Sequence, residues 1–367
     1  MKFDFDKVVD RHGTKCLKYD FAKERGRSDD MLPLWVADMD FQTAPGIQKS
    51  LSDAVAHGIY GYSEGKDDYF QAAAGWYEKH FGWKVEKEWL IKTPGVVFAL
   101  AMAVKAYTKE GDAVLLQQPV YYPFSEVITD NHRRLINSPL QQIDGHYEIN
   151  FEEFEQKIVE ENVKLFLMCS PHNPVGRVWK EWELRKIGDI CLKHNVLVVS
   201  DEIHSDFTYG ENIHHVFASL DEKYAAITTT CTAPSKTFNI AGLQISNIWI
   251  SNPELRSRFR AEVTAAGYNL MGLVACQAAY ETGEEWLKEL KIYLEGNLDY
   301  VRTFLKENLP EIKLTEPEGT YLLWLDFKSL GMKEEQLKDL VENKAKLWLD
   351  SGAMFGPDGE GFERINI

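Results

Sequence analysis

Short runs of apolar and β-branched residues alternate with longer amphipathic stretches over most of the chain. This alternation is typical of a fold in which helices cover a parallel β-sheet. The apolar runs predict strands at residues 89–92, 113–118, 163–169, 196–201, 226–232 and 244–250. The stretches between them carry apolar side chains at helical spacing and predict helices, for example at residues 66–81, 96–109 and 181–194.

The pattern changes after Pro253, where the helices become longer and more charged. They are predicted at residues 254–266 and 284–308, followed by a strand at 319–327 and a helix at 334–349. We expect this part to form a smaller α+β domain, with the loop-rich first ~45 residues crossing between the domains. The predicted division is a large domain at residues 46–275 and a small domain made of residues 1–45 and 276–367.

The 367-residue chain carries a formal charge of −16, from 41 basic and 57 acidic residues. An acidic surface repels a phosphate backbone, so a nucleic-acid partner is not expected. The N-terminus, MKFDFDKVVD, lacks the basic and apolar segments of a secretory signal. Apolar runs such as Val96–Val104 are far too short to span a bilayer, so we expect a cytoplasmic protein without membrane contact.

Three polar segments each follow a predicted strand, at the edge where a parallel α/β sheet binds its ligands. The first, SPHNPVG at 170–176, holds Asn173 among prolines, so its amide can present a fixed hydrogen bond; a simple tight turn is the alternative. The second, DEIHSD at 201–206, begins with a buried carboxylate, Asp201, that requires a cation or strong donors. A protonated pyridine nitrogen is one such cation, and a metal site or a helix N-cap are the alternatives.

The third segment, Ala233–Leu243 (APSKTFNIAGL), places Lys236 in a turn of small residues. If its surroundings exclude water, the amine loses its proton more easily and becomes nucleophilic. A solvated surface lysine is the alternative. The flanking apolar residues Phe238, Ile240 and Leu243 argue against that alternative.

The order Asn-Pro, Asp and Ser-Lys, at Asn173, Asp201 and Lys236, resembles fold-type I pyridoxal 5'-phosphate (PLP) enzymes of aminotransferase class I/II. The gaps of 28 residues (173 to 201) and 35 residues (201 to 236) fit that family, and the resemblance covers nearly the whole chain. It implies a large domain with a mainly parallel seven-stranded sheet between helices, and a smaller α+β domain. It further implies that Lys236 holds PLP as a Schiff base, Asp201 keeps the pyridine nitrogen protonated and Asn173 hydrogen-bonds the phenolic oxygen.

The same resemblance assigns further positions around the cofactor. Gly95, Val96 and Val97 open a helix whose free N–H groups can bind the phosphate, and Ser235 can donate a hydroxyl to it. Tyr121 matches the aromatic residue that stacks on the cofactor ring. It is also a candidate catalytic residue that assists the leaving sulfur.

The resemblance also assigns substrate and subunit contacts. Arg364 matches the arginine that binds the substrate carboxylate in a bidentate fork, with Asn173 and Ala37 beside it. Tyr62 matches a tyrosine that reaches the phosphate of the neighbouring subunit. The active unit is therefore expected to be a homodimer, with no metal in its site.

Three segments are most similar to the MalY/PatB group of the superfamily: Leu34–Phe41 (LWVADMDF), Asp201–Asp206 and Ala233–Gly242. His204 stands where many aminotransferases have a tyrosine near the phenolic oxygen, which makes it a cofactor contact. Gln244 stands where those enzymes carry a phosphate-binding arginine. This pattern is typical of the carbon–sulfur lyase branch.

That similarity implies β-elimination, in which a cystathionine β-lyase-like enzyme converts cystathionine or cysteine to a thiol, pyruvate and ammonia within methionine biosynthesis. In this reaction Lys236 is also the base that removes the Cα proton. Transamination on the same fold is one alternative, and a regulatory protein-binding role is another. The resemblance also implies a final helix after Asn366, so the small domain is expected to lack that helix in a sequence that stops at Ile367.

Overall fold

The computed structural model describes residues 2–263 and 267–367. The strands are β1 (Leu32–Pro33), β2 (Leu90–Thr93), β3 (Ala113–Leu116), β4 (Arg134–Asn137), β5 (Leu140–Ile143), β6 (His146–Ile149), β7 (Leu165–Cys169), β8 (Leu197–Asp201), β9 (Thr228–Thr232), β10 (Ser246–Trp249), β11 (Lys313–Thr315), β12 (Leu322–Asp326), β13 (Leu347–Trp348), β14 (Asp350–Ser351) and β15 (Phe362–Asn366). The helices are α1 (Pro45–His57), α2 (Asp67–Phe81), α3 (Val96–Tyr107), α4 (Pro123–Thr129), α5 (Phe151–Glu160), α6 (Glu181–Lys193), α7 (Glu222–Ala225), α8 (Pro234–Thr237), α9 (Pro253–Val263), α10 (Leu270–Thr282), α11 (Glu284–Asn308) and α12 (Glu334–Lys338).

Seven strands form the central sheet in the order β2-β10-β9-β8-β7-β3-β4. β10 runs antiparallel to both of its neighbours, whereas β9, β8, β7, β3 and β4 run parallel to one another. β3, β7 and β9 are buried along their whole length, as expected for a parallel sheet covered by helices on both faces. A second, antiparallel sheet has the order β11-β12-β15-β14. The predicted fold class is therefore confirmed.

Helix α10 is a helix that the hydrophobic pattern did not reveal. Its sequence, LMGLVACQAAYET, is apolar on almost every side, so it lacks the polar face that marks an amphipathic helix. It packs between α1 and α2 in the core of the protein, which explains why no polar face is needed. Every helix in the described ranges is either too short or too polar to cross a lipid bilayer.

The predicted helix at 334–349 is wrong in its second half. The α-helix ends at Lys338 and continues as a π-helix to Lys344. Lys346 then has a φ of 59°, which a helix cannot accommodate, and Leu347–Trp348 pairs in parallel with Leu32–Pro33. Pairing with a distant segment overrides the local helical pattern here. Of the helix predicted at 254–266, the last three residues lie outside the described part of the chain.

Residues 35–41 form a segment that is hydrogen-bonded to β15 of the antiparallel sheet and to the turn after α8, which follows β9 of the central sheet. The Asn366 side chain, at the end of β15, donates to the carbonyl oxygens of Val36 and Asp38, both at 2.6 Å. The Asn239 side chain, after α8, donates to the carbonyl oxygens of Met39 and Phe41, both at 2.8 Å. The segment therefore holds a fixed position between the antiparallel sheet and the central sheet.

The boundary expected between residues 275 and 276 falls inside α10. Because this helix packs on α1 and α2, we propose that the large domain extends through α10 and that the small domain begins with α11. α11 supports that division, since its second half packs on the antiparallel sheet through Leu298 and Leu305.

Two glycines give opposite expectations for stability. A Cβ on Gly272, in α10, would lie 2.6 Å from the carbonyl oxygen of Leu243, so Gly272→Ala is expected to lower the free energy of unfolding by about 1–3 kcal/mol. A Cβ on Gly296, on the exposed face of α11, would meet no atom within 4 Å. Gly296→Ala should therefore raise stability by about 0.5–1 kcal/mol. Urea unfolding of the two variants checks both signs, and equal changes would contradict the packing around α10.

Candidate active site

The carboxyl ends of three neighbouring parallel strands bring the polar segments together. Asp201, the last residue of β8, lies opposite Cys169 at the end of β7 and opposite Cys231 near the end of β9. Asn173 follows β7 and Lys236 follows β9, so the side chains come from adjacent strand ends. This is the edge at which open α/β sheets bind their ligands.

A pocket of about 140 Å³ lies at this edge. It is lined by Ala37, Val96, Val97, Tyr121, Cys169, Asn173, Asp201, Ile203, His204, Ser235, Lys236 and Ala241. Nine of these twelve residues were predicted from the sequence, and Cys169, Ile203 and Ala241 are additions. Three predicted residues do not line it: Gly95 precedes the lining residue Val96, Arg364 contacts the lining residue Asn173, and Tyr62 lies elsewhere.

The Lys236 amine lies in this pocket and donates a hydrogen bond to the carbonyl oxygen of Ala37 at 2.7 Å. Burial lowers the pKa of Lys236 to about 8, and the positive charge of Arg364 acts in the same direction. The carboxylates of Asp38 and Asp201 oppose this effect. A substantial fraction of the amine is therefore neutral near pH 8, which is the form that attacks a carbonyl carbon.

The Asp201 carboxyl is buried, and its recorded hydrogen bond comes from the amide N–H of Ile203 at 3.1 Å. Burial raises the pKa of Asp201 to about 7, against the opposing effects of the Ile203 hydrogen bond and Lys236. A carboxyl group held this way gains a great deal from a cationic hydrogen-bond donor placed opposite it. The site is therefore suited to a ligand that carries a protonated nitrogen.

Asn173 and His204 present neutral polar groups to the pocket. Both are buried, and the carbonyl oxygen of Asn173 accepts the backbone N–H of Tyr121 at 3.0 Å. Burial lowers the pKa of His204 to about 3, so its imidazole is neutral at physiological pH. Its Nδ1 has no hydrogen-bond partner within the described residues. Such a buried and unpaired ring nitrogen is available to a ligand.

Arg364 lies in β15 and is almost completely buried. Its Nη1 donates to Oδ1 of Asn173 at 3.1 Å, and its Nη2 donates to the carbonyl oxygen of Trp35 at 2.8 Å and to the Asp350 carboxylate. Its buried Nε has no partner in the described parts of the chain. The guanidinium is thus held in one orientation and keeps its Nε–H free to donate. A fixed guanidinium with a free donor is suited to binding a ligand carboxylate.

The N-terminus of α3 closes another side of the pocket. Gly95 precedes the helix with a φ of 150°, and a Cβ at this position would meet no atom within 4 Å. The first amide groups of a helix have no partner within it, so the N–H groups of Val96 and Val97 are available to bind an anion. Ser235, which is half-buried, adds a hydroxyl to the same pocket.

Tyr121 and Tyr62 differ in their surroundings. Burial raises the pKa of Tyr121, so its hydroxyl keeps its proton at neutral pH. Tyr62 is fully exposed and lines a separate open cleft together with Tyr60, Tyr268 and Met271. Within one chain, therefore, Tyr62 does not contribute to the pocket.

The polar residues of segment 201–206 point in different directions. Asp201 and His204 line the pocket, whereas Glu202 pairs with His214 at 2.8 Å in a separate buried contact. Within residues 2–263 and 267–367, no three His, Cys, Asp or Glu side chains are grouped so that they could hold a metal ion.

Tyr321 is a neighbour of the pocket that the sequence analysis missed. Its hydroxyl donates a hydrogen bond to the carbonyl oxygen of Ala37 at 3.1 Å. The same oxygen accepts a hydrogen bond from the Lys236 amine. Its ring meets that of His204 with centroids 5.9 Å apart. The only sequence signal was an aromatic residue entering a predicted strand, which is also typical of the core.

Comparison with known proteins gives consistent matches over the whole chain. Residues 30–367 match the family described as aminotransferase class I and II. Cystathionine beta-lyase PatB of Bacillus subtilis is 44% identical over 366 residues, covering 99% of this chain and 95% of PatB.

Two solved structures agree closely with this fold. Cystalysin from Treponema denticola, described as containing a pyridoxal 5'-phosphate cofactor, has a TM-score of 0.96 at 40% identity, covering 100% of this chain and 94% of cystalysin. The PLP-bound C–S lyase from Staphylococcus hominis has a TM-score of 0.94 at 34% identity, covering 100% and 93%.

The lowered pKa of Lys236 can be measured directly in the protein without a ligand. Its rate of acetylation, followed by peptide mass spectrometry, should rise with a midpoint near pH 8. Asp201→Asn should lower that midpoint, because it removes a negative charge that stabilises the ammonium form. The exposed Lys306 on α11 serves as the internal reference for the reagent. A midpoint above pH 10 would show that the amine is not desolvated.

Proposed function

The chain belongs to the aminotransferase class I and II family, and on this basis we propose that it is a PLP-dependent carbon–sulfur lyase. The reaction is β-elimination from a sulfur-containing amino acid such as cystathionine or cysteine. One observation carries the proposal: a chain 44% identical to a cystathionine β-lyase gathers a lysine of lowered pKa, a buried carboxyl and a helix N-terminus around one pocket.

The residues of the pocket fit PLP. The Asp201 carboxyl is buried and forms no ion pair with any described residue, and a protonated pyridine nitrogen would supply a cationic partner. The open space at Gly95 and the free N–H groups of Val96 and Val97 suit a phosphate dianion, with the Ser235 hydroxyl beside them. We assign Asn173 and His204, which line the same pocket, as neutral contacts for the phenolic oxygen, and Tyr121 as the aromatic residue that stacks on the ring.

PLP, when bound, draws electrons away from Cα of an attached amino acid and so makes the Cα proton acidic. Lys236 is the residue that we propose holds the cofactor and, once displaced by the substrate, removes that proton with its Nζ. The carbonyl oxygen of Ala37 accepts a hydrogen bond from this amine, which gives the amine a defined position in the pocket. Asp201 would keep the ring nitrogen protonated, the form in which the cofactor accepts electrons.

Arg364 is proposed to bind the substrate carboxylate, with Asn173 and Ala37 beside it. Asp350 and the carbonyl oxygen of Trp35 keep the guanidinium in place, so little orientational freedom is lost on binding. Tyr121 retains its proton in the pocket and can donate it to the leaving sulfur. With cystathionine the released thiol is homocysteine, which would place the reaction in methionine biosynthesis in the cytoplasm.

The proposed lyase activity depends on a leaving group at Cβ, and this separates it from transamination. The purified protein with PLP should release pyruvate rapidly from cystathionine. It should transfer the amino group of L-alanine, which has no such leaving group, much more slowly. Rapid transfer from L-alanine without pyruvate release from cystathionine would identify an aminotransferase instead.

Lys236→Ala should abolish the visible absorbance of lysine-bound PLP and lower the rate of pyruvate release by at least about three orders of magnitude. The loss follows from removal of both the covalent anchor and the base. Lys306→Ala, at an exposed position of α11, is the matched control and should leave both quantities unchanged. A Lys236→Ala variant with the full lyase rate would reject the assigned role.

We also propose that the active unit is a homodimer to which Tyr62 contributes across the interface. Ile59, Tyr60 and Tyr62 are all more than half exposed, which is an unusual concentration of apolar surface in one loop. The partly exposed Val97, at the phosphate end of the pocket, offers an approach for a tyrosine from a second subunit.

Mixing two inactive variants tests this arrangement. Tyr62→Ala and Lys236→Ala should each be nearly inactive alone, but subunit exchange between them produces dimers in which one site has both Lys236 and Tyr62. Equal mixing should restore about a quarter of the wild-type lyase activity, since half of the dimers are hybrids with one intact site each. No recovery, in the presence of proven exchange by mass spectrometry, would place Tyr62 and Lys236 of each site in one subunit.

A further inference from the structure

A second buried carboxylate is hydrogen-bonded to Thr237, the residue that follows the proposed cofactor lysine. Asp206 is 9% exposed, and its partners are two neutral donors: the hydroxyl of Thr237 at 2.6 Å and the indole N–H of Trp76 at 3.1 Å. No basic side chain in the described residues lies within ion-pair distance of it. Burial raises the pKa of Asp206, which reflects the cost of keeping a charge there. A buried and costly group of this kind calls for an explanation beyond packing.

The position of Asp206 in the chain supplies that explanation. Thr237 directly follows Lys236 in α8, and Asp206 belongs to the loop that begins with Asp201. The contact between Asp206 and Thr237 therefore ties the turn that carries Lys236 to the loop that follows Asp201 and carries His204. Trp76 fixes the same carboxylate to α2, outside the sheet.

The rest of α8 offers few constraints of its own. The helix has only four residues, Pro234–Thr237, so its internal hydrogen bonds cannot hold it rigidly. The Lys236 side chain is bonded to the Ala37 carbonyl oxygen in this structure, but that contact must break when the amine binds the cofactor. The Thr237 hydroxyl bond is independent of the state of the amine and can persist through the reaction.

We propose that Asp206 is a positioning residue: through the Thr237 hydroxyl it holds the Lys236 turn at a fixed distance from Asp201. The inference rests on the proposed function, because it assumes that Lys236 carries PLP. Asp206 itself touches neither cofactor nor substrate in this scheme.

The test compares hydroxyl removal with hydroxyl retention at position 237, measured as PLP binding without substrate. Thr237→Val, which keeps the shape and removes the hydroxyl, should raise the dissociation constant for PLP about tenfold. It should also lower the fraction of bound PLP that shows the visible band of the lysine linkage. Thr237→Ser keeps the hydroxyl and should stay within about threefold of the wild type. Thr237→Ala also removes the hydroxyl but places no methyl group against the carboxylate. If Thr237→Val fails to fold, Thr237→Ala should show the same weaker PLP binding in its place.

Thr228→Val is the matched control for loss of a buried hydroxyl. Thr228 is as buried as Thr237. It begins β9, at the end of that strand away from Lys236, and its hydroxyl donates to the carbonyl oxygen of Tyr224 at 2.6 Å. This variant is expected to melt at a lower temperature while binding PLP normally.

Three results would each overturn the role of Asp206. They are equal PLP binding by Thr237→Val and the wild type, weak binding by Thr237→Ser, and equally weak binding by Thr228→Val. Wild-type protein that bound no PLP would overturn the proposed function itself.

Discussion

The desolvated carboxyl of Asp201 is the constraint around which the pocket is organised. It ends the central strand β8 between two other strand ends, where it is buried and accepts the backbone N–H of Ile203. A parallel sheet creates such a position because its carboxyl ends converge on one edge. A lysine of lowered pKa and a helix N-terminus line the same pocket as this carboxyl. Together the three features suit a ligand that has a positively charged ring nitrogen and an anionic group.

The sequence was informative where chemistry and local pattern coincide. Asn173, Asp201 and Lys236 could be predicted because each follows a buried strand and because their order matches a known family, and the structure brings all three to one pocket. The mainly parallel sheet followed from the same alternation of apolar runs and helices. Periodicity alone would have left each of the three segments open to a structural explanation.

Other features depend on contacts between distant residues, which no local pattern records. β13 forms because Leu347–Trp348 pairs with Leu32–Pro33, although the surrounding residues have a helical pattern. α10 was missed because a helix surrounded by other helices needs no polar face. Tyr321 and Asp206 were missed for a related reason: their significance lies in bonds to Ala37 and Thr237, more than thirty residues away in each case.

The segment 35–41 has a consequence for the order in which the protein can form. Its position depends on Asn239, which follows α8, and on Arg364 and Asn366 from β15. The segment supplies the Ala37 carbonyl oxygen that accepts a hydrogen bond from the Lys236 amine. The central sheet can assemble on the ribosome while the later strands are still being made, since domains fold as units during synthesis. The pocket cannot be completed at that stage, because one of its walls is held by β15, which is synthesised after every strand of the central sheet. A nascent chain is therefore kept from closing the site until β15 has left the exit tunnel.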